Sequence, residues 1–245
     1  MPYIAAVFLF LLPLCSSWAD NSSNNPEAPL ITIASVVDNP LTKVGIQFMR
    51  QVYSMAGYQT RFTSLSAARS KQLLEIGDID AELFRAEGLD DIASTMAKVP
   101  EALIEVKISA YAVNPKIQRL SSTAFQSYRV GIRHGLNIQD QLKLSKTSQV
   151  YRLEQLVNML KYDRIDIVIL SETSAFFLRQ KFGLRDLRAL EPHLATLPVY
   201  HYVHRRHAHL IEQLADNIKI LKNKGVAEKM INDFMQNAEN SSEQQ

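Results

Sequence analysis

Two arginines stand where a ligand group could be held: Arg69 in "SLSAARSK" and Arg85 at the end of "IDAELFR". Arg69 comes three residues after Ser66, an N-cap type, and so falls in the first turn of a helix, where the macrodipole disfavours a cation by about 0.3–1 kcal/mol. An anionic ligand group shared between the helix N–H groups and the guanidinium would explain it; a solvated or carboxylate-paired arginine is the alternative. Arg85 follows an apolar, strand-like run, and its planar fork suits a carboxylate taken bidentately. Its alternative partners are Glu82 and Glu87. Further along, Arg133 and His134 precede Gly135, where a missing Cβ lets a ligand approach the backbone; for His134 an ordinary turn competes. Ser171 and Glu172 close "RIDIVIL" and could accept from an amino group, or serve as N-cap and first-turn acid of the next helix, two compatible roles. Asp38 in "VVDNPLT" and Tyr111 in "ISAYAVNP" complete the candidates.

Catalytic chemistry has no comparable signal. No nucleophile elbow, phosphate loop, HExxH or paired-acid arrangement occurs. Five of the six histidines fall in "PHLATLPVYHYVHRRHAH", but their spacing fits no compact zinc pattern and spans a strand-to-helix change. No catalytic residue, metal or cofactor is therefore expected. Glu172 with His134 across a cleft is the acid/base pair an enzymatic alternative would use, and a ligand-independent adaptor is a third reading.

The elements that must position these residues follow from periodicity. "LITIASVV" is a β-branched strand. "LTKVGIQFMRQVYSMAG" puts Val44, Phe48, Val52 and Met55 at helical spacing, with Thr42 as N-cap and Gly57 as stop. Strand "YQTRFTSL", helix "SAARSKQLLEIGD" and strand "IDAELF" follow, an alternation that signals βαβ units and a parallel sheet. After the extended run "LIEVKISAYAVNP" the grammar restarts with strand "SYRVGIRHG", short helix "NIQDQLKL", helix "RLEQLVNMLKYD" and strand "RIDIVIL". Residues 73–85, "LLEIGDIDAELFR", align without a gap on residues 159–171, "MLKYDRIDIVILS", placing Leu74 on Leu160, Ile79 on Ile165 and Asp80 on Asp166. The repeat marks the third strand of each of two similar lobes. "LPVYHYVH" reads as a crossing back, "AHLIEQLADNIKILKNKG" places Leu210, Leu214, Ile218 and Leu221 on one helical face, and "VAEKMINDFM" is a last helix.

The chain opens on "MPYIAAVFLFLLPLC", too short to span a membrane, followed by Ser17-Trp18-Ala19, a small-x-small cleavage pattern. Residues 1–19 are expected to be a secretory signal peptide; Leu14 is too bulky to precede a lipidated Cys15. The remaining chain has no cysteine, so its core must hold it. A formal net charge of +2 with both signs mixed points to neither nucleic acid nor an anionic membrane as partner. The expected organisation is a polar spacer at 20–29, a first lobe at 30–112, a second at 113–198, a return to the first at 199–236 and a disordered tail at 237–245.

In their order, "TIASVVDNP", "SLSAARSKQLLEIGDIDAELFR", "ISAYAVNP", "YRVGIRHG", "RLEQLVNMLKYDRIDIVI" and "YHYVHRRHAHLIEQLADNIKILKNKGVAEKMI" resemble bacterial periplasmic solute-binding proteins of the family-3 type, whose best-known members bind polar amino acids for ABC transporters. The resemblance implies an α/β, two-lobed periplasmic-binding-protein-like (type II) fold, each lobe a mostly parallel sheet flanked by helices, joined by two crossing strands. It implies a periplasmic, monomeric protein that closes by a hinge over a small polar, carboxylate-bearing ligand, with an ABC permease or a membrane sensor as partner. Arg85 looks like the arginine that clasps an α-carboxylate, and Tyr111 is expected to line the floor. The sequence departs from the pattern in carrying Ser171 and Glu172 where amino-acid binders place an aspartate, and in lacking an aromatic in loop 36–42.

Overall fold

The computed structural model describes residues 28–36, 39–86, 94–120, 124–134 and 142–242. Its first lobe starts with β1 (Leu30–Val36), α1 (Thr42–Met55), β2 (Gln59–Leu65), α2 (Ala67–Glu75) and β3 (Ala81–Ala86), the expected alternation. α1 buries Phe48, Met49, Val52 and Tyr53. Its apolar face is thus rotated slightly from the expected one, and Met55 lies 43% exposed. Thr42 is the first helical residue and not the cap; Leu41 precedes it, and its N–H is taken by Asn39 Oδ1 at 3.0 Å. Gly57, at φ +82, ends the helix as expected.

A short β4 (Met96–Lys98) and the long β5 (Ile104–Ala112) lead into the second lobe: β6 (Val130–Arg133), β7 (Thr147–Val150), α3 (Leu153–Lys161), β8 (Ile167–Ser171) and α4 (Glu172–Phe182). The expected helix at "NIQDQLKL" falls largely outside the described residues. β9 (Arg188–His204) returns to the first lobe and is far longer than "LPVYHYVH". α5 (Ile211–Asn223) and α6 (Val226–Ser242) follow, with Leu214, Ile218 and Leu221 buried as the helical face requires. α6 runs to Ser242, so the segment from 237 is helical that far where the sequence suggests disorder.

Hydrogen bonding is continuous through one sheet, in the order β2-β1-β3-β9-β5-β8-β6-β7, with β4 on β9. Two separate sheets are not what forms, because the crossing strands β5 and β9 pair with each other as well as with their lobes. The order is nonetheless symmetric. Each lobe places its second, first and third strands in parallel and then adds an antiparallel crossing strand. The cores are distinct: one draws on Ile33, Met49, Leu83 and, from the returning chain, Leu214 and Ile218, whereas the second lobe is filled by Leu156, Ile165, Leu178 and by Ile132, Ile167, Leu190.

Register fixes how the lobes face. β3 runs from Ala81, opposite Val203, to Ala86, opposite Val199, which in turn lies opposite Ile104. β8 runs from Val168, opposite Tyr111, to Ser171, opposite Ile108. The carboxyl ends of the two third strands therefore point toward each other along the β5–β9 ribbon. The step from Ile104 to Ile108 separates them, about 13 Å at roughly 3.3 Å per residue. In open α/β sheets ligands sit outside such strand ends.

Candidate functional site

On the first-lobe side of this gap β3 carries a bulge. Glu82 pairs with Tyr202 and Arg85 with Tyr200, so β3 takes three steps against two on β9. In a regular strand residues three apart face opposite ways; here Leu83 and Phe84 both turn to the α1 core, and Glu82 and Arg85 meet on the other face. Arg85 donates from Nη2 to Glu82 Oε1 at 2.7 Å and Oε2 at 2.8 Å, and from Nε to Oε2 at 3.1 Å. The side chains are only 10% and 4% exposed, so this is a desolvated ion pair rather than a surface one.

The bulge is braced from behind. His201, fully buried between Tyr200 and Tyr202 in sequence, has Nδ1 at 3.0 Å from the Leu83 carbonyl and Nε2 at 2.9 Å from the Tyr53 hydroxyl. A carbonyl can only accept, so Nδ1 carries the hydrogen and Nε2 accepts from Tyr53. Burial drives the His201 pKa down to about 4, against the bonds to the Leu83 and Glu82 backbone, and keeps the ring neutral. Burial, with the Asp80 charge second, pushes the Tyr53 hydroxyl pKa up.

Arg69 stands where its helix start requires: Ser66 is the N-cap and its Oγ accepts from the Arg69 N–H at 3.3 Å. The exposed guanidinium reaches Gln72 Oε1 at 2.7 Å. Asp38 lies outside the described residues.

Across the gap, Ser171 caps α4, accepting from the Ser174 N–H at 3.2 Å and lying 3.1 Å from Thr173 Oγ1. Glu172 is the first residue of α4 and is exposed. His134 follows the last residue of β6, its N–H bonded to Val150 O at 2.7 Å, and stacks on Tyr151 with centroids 4.7 Å apart and an interplanar angle of 16°. Ile132 pairs with Ile169 and Arg133 with Val150, so Tyr151, His134 and Ser171 stand level on three adjacent strands. Tyr111 is not a floor residue. It pairs with Val168 and Ala189 inside the second lobe, is 3% exposed and packs with Leu170, Ala175 and Leu178. Between the strand ends the ribbon instead presents Glu105, Val106 and Lys107 opposite Pro198, Leu197 and Thr196.

A relative from Shewanella oneidensis, carrying the words "Uncharacterized protein", is 30% identical over 217 residues, 82% of this chain and 80% of its own. The chain belongs to that protein's family. No protein-family model matches the sequence. Among solved structures, the GluR0 ligand-binding core in complex with L-glutamate superposes at a TM-score of 0.74 with 12% identity, covering 85% of this chain and 99% of that one. A histidine kinase sensor domain with similarity to periplasmic binding proteins gives 0.72 with 13% identity, covering 84% and 95%. The amino acid ABC transporter substrate-binding protein AbpA of Streptococcus pneumoniae, bound to L-arginine, gives 0.71 with 15% identity, covering 85% and 95%. At such identities the likeness establishes the fold alone, the type II periplasmic-binding-protein-like fold.

Among the described residues no cluster of three or more His, Cys, Asp or Glu could hold a metal ion, and no helix is long and apolar enough to cross a membrane. The histidine-rich string is split between the core and a surface group in which the His207 and His209 rings lie 6.2 Å apart. His201 is in the core, His207 Nε2 sits 2.7 Å from Asp80 Oδ1, and His209 lies 3.5 Å from the Tyr58 hydroxyl. Sequence reasoning missed Tyr151, whose signal was its place in the loop after the second lobe's second strand. It also missed Tyr53 and His201, which no local pattern joins.

Proposed function

We propose that the protein is an exported, periplasmic solute-binding protein that captures a small polar, carboxylate-bearing solute between its two lobes by hinge closure and hands it to a permease or a membrane sensor. The observation that carries this reading is the pair of third-strand ends aimed at one another across the β5–β9 ribbon, one ending in the Glu82–Arg85 pair and the other in the Ser171 cap. Arg85 and Arg69 would orient the carboxylate from the first lobe, and Ser171, Glu172, Arg133 and His134 would meet it from the second. Closure would be a population shift driven by simultaneous contact with both lobes. The leader-like opening supports export, and the binding-protein and sensor-domain neighbours support a binding role over chemistry.

A thermal-shift screen against amino acids, dicarboxylates, polyamines and sugars tests the reading, since a solute at 100 times its dissociation constant adds about 2.7 kcal/mol of stability. The partner variant exchanges both charges, Glu82→Gln with Arg85→Gln, so that no lone charge is left buried. It is expected to lose at least tenfold in affinity for the solute found. Full affinity in that variant would move the site elsewhere.

A further inference from the structure

The carboxyl edge of the second lobe carries an aromatic surface that the polar contacts above leave unused. Tyr151 is 67% exposed, one of the most exposed large side chains described, at a strand end directed into the gap. One of its faces lies on the His134 ring, 4.7 Å away and nearly parallel. The backbone beneath the stack is fixed by the β6–β7 pairing and by the His134 N–H bond to Val150 O at 2.7 Å, so the two side chains leave neighbouring strands at defined positions. A flat, rigid aromatic surface held open to solvent is what a planar ligand group needs: stacking adds to area burial, and little side-chain entropy remains to be lost. In the sequence Arg133 immediately precedes His134 and Arg152 immediately follows Tyr151, so two cations belong to this edge. Arg152 pairs loosely with Glu154 at 3.5 Å, both well exposed. An edge that offers both a π surface and cations favours a ligand that carries a ring and a carboxylate.

We propose that Tyr151, backed by His134, is the shelf on which the ligand's ring lies, and that the captured solute is a small aromatic carboxylate. This rests on the solute-binding reading above and specifies its ligand. The shelf would take the place of the aromatic that loop 36–42 lacks, from the opposite lobe.

Isothermal titration of the protein with matched pairs tests it: L-phenylalanine against L-cyclohexylalanine, and benzoate against cyclohexanecarboxylate, with benzyl alcohol as the uncharged ring. The aromatic carboxylate of at least one pair should bind five- to tenfold more tightly than its saturated counterpart, and benzyl alcohol should bind far more weakly. Tyr151→Ala should erase the aromatic preference, and Tyr151→Phe should restore it, which a merely structural tyrosine would not do. Tyr151 is exposed, so neither variant threatens folding. The proposal is overturned if the saturated acids bind equally, if the preference survives Tyr151→Ala, or if no aromatic carboxylate binds. A saturated amino acid that binds, and is lost when Glu82 and Arg85 are exchanged, would leave the solute-binding reading standing while removing the shelf.

Discussion

The two copies of the repeated segment agree at one end and part at the other. In both, a helix ends on a left-handed residue, Gly77 at φ +77 and Asp163 at φ +52, and an aspartate opens the third strand. Asp80 Oδ2 accepts from the Thr32 N–H at 2.7 Å, and Asp166 Oδ2 from the Arg129 N–H at 2.7 Å. The backbone answers in each case, the aspartate N–H reaching the carbonyl of that same residue. An arginine then ties the aspartate to the carbonyl of the left-handed residue. In the second lobe it is Arg129 itself, bonded to Asp166 and to Asp163 O; in the first, where position 32 is a threonine, Arg206 from the returning chain does it. This end is a folding staple, rebuilt twice from different residues. At the other end nothing matches: β3 bulges and finishes in a buried ion pair, while β8 runs regular into a hydroxyl cap. The common end explains the fold, and the divergent end is where a ligand would tell one lobe from the other.

Breaking the divergent end should cost most. Arg85→Ala strands the Glu82 charge in the interior and is expected to lower unfolding free energy by about 3–5 kcal/mol, with the paired exchange to glutamine recovering much of the loss. Urea denaturation reads both, and an Arg85→Ala loss below about 1 kcal/mol would mean the pair is not desolvated. His201→Leu leaves the Tyr53 hydroxyl and the Leu83 carbonyl without their partner, at about 2–3 kcal/mol. It should also change the pH dependence. His201 has a folded pKa of about 4, below the unfolded value of about 6.5. The unfolded chain therefore binds the extra proton between those limits: stability is full above pH 6.5 and falls toward pH 4, by an amount on the order of 3 kcal/mol. A wild-type stability curve as flat across that window as the variant's would refute the buried neutral ring.

The staples should respond less, and alike. Asp80→Ala is expected to cost about 2 kcal/mol and Asp166→Ala about 1 kcal/mol, each exposing a strand N–H without its acceptor, as chemical denaturation of each variant measures. Burial works to raise the Asp80 pKa, but the Thr32 N–H, Arg206 and His207 together outweigh it and leave it below the ordinary carboxylate value. Asp166 is lowered chiefly by Arg129. Both folded pKa values lie below the unfolded ones, so their stabilisation is complete above about pH 4 and disappears as pH falls below it, under the His201 window. An acid titration in which Asp80→Ala and Asp166→Ala remove opposite slopes would break the equivalence of the two copies.

Much of this frame is legible in the sequence, because period and punctuation record it: β-branched runs alternate with helices, and the 86-residue offset exposes the doubling. The first part of β9 is not legible, since Glu191, Pro192 and His193 interrupt any alternation there; they form the irregularity between the two stretches of β9, Arg188–Leu190 and Ala195–Val199, that pair with β5. Arg85 and Ser171 could be placed at strand ends by type alone. The Glu82–Arg85 pair could be named as an alternative but not favoured, because on a regular strand the two would face apart and the bulge depends on a partner 118 residues away, His201 at Leu83. Tyr111 was misplaced for a related reason. Register against β8, invisible in one strand's sequence, decides which part of the crossing lies between the lobes.

The central claim, two facing halves that close on a solute, is tested most directly by an interlobe distance. The only cysteine is Cys15, so with Cys15→Ser in place Lys43→Cys in α1 and Asn158→Cys in α3, both exposed, can be spin-labelled cleanly. Pulsed electron paramagnetic resonance with and without a mixture of the common amino acids and benzoate should show the distance distribution shorten and narrow on addition. A distribution unchanged by the mixture and by each class in the thermal-shift screen would contradict the account.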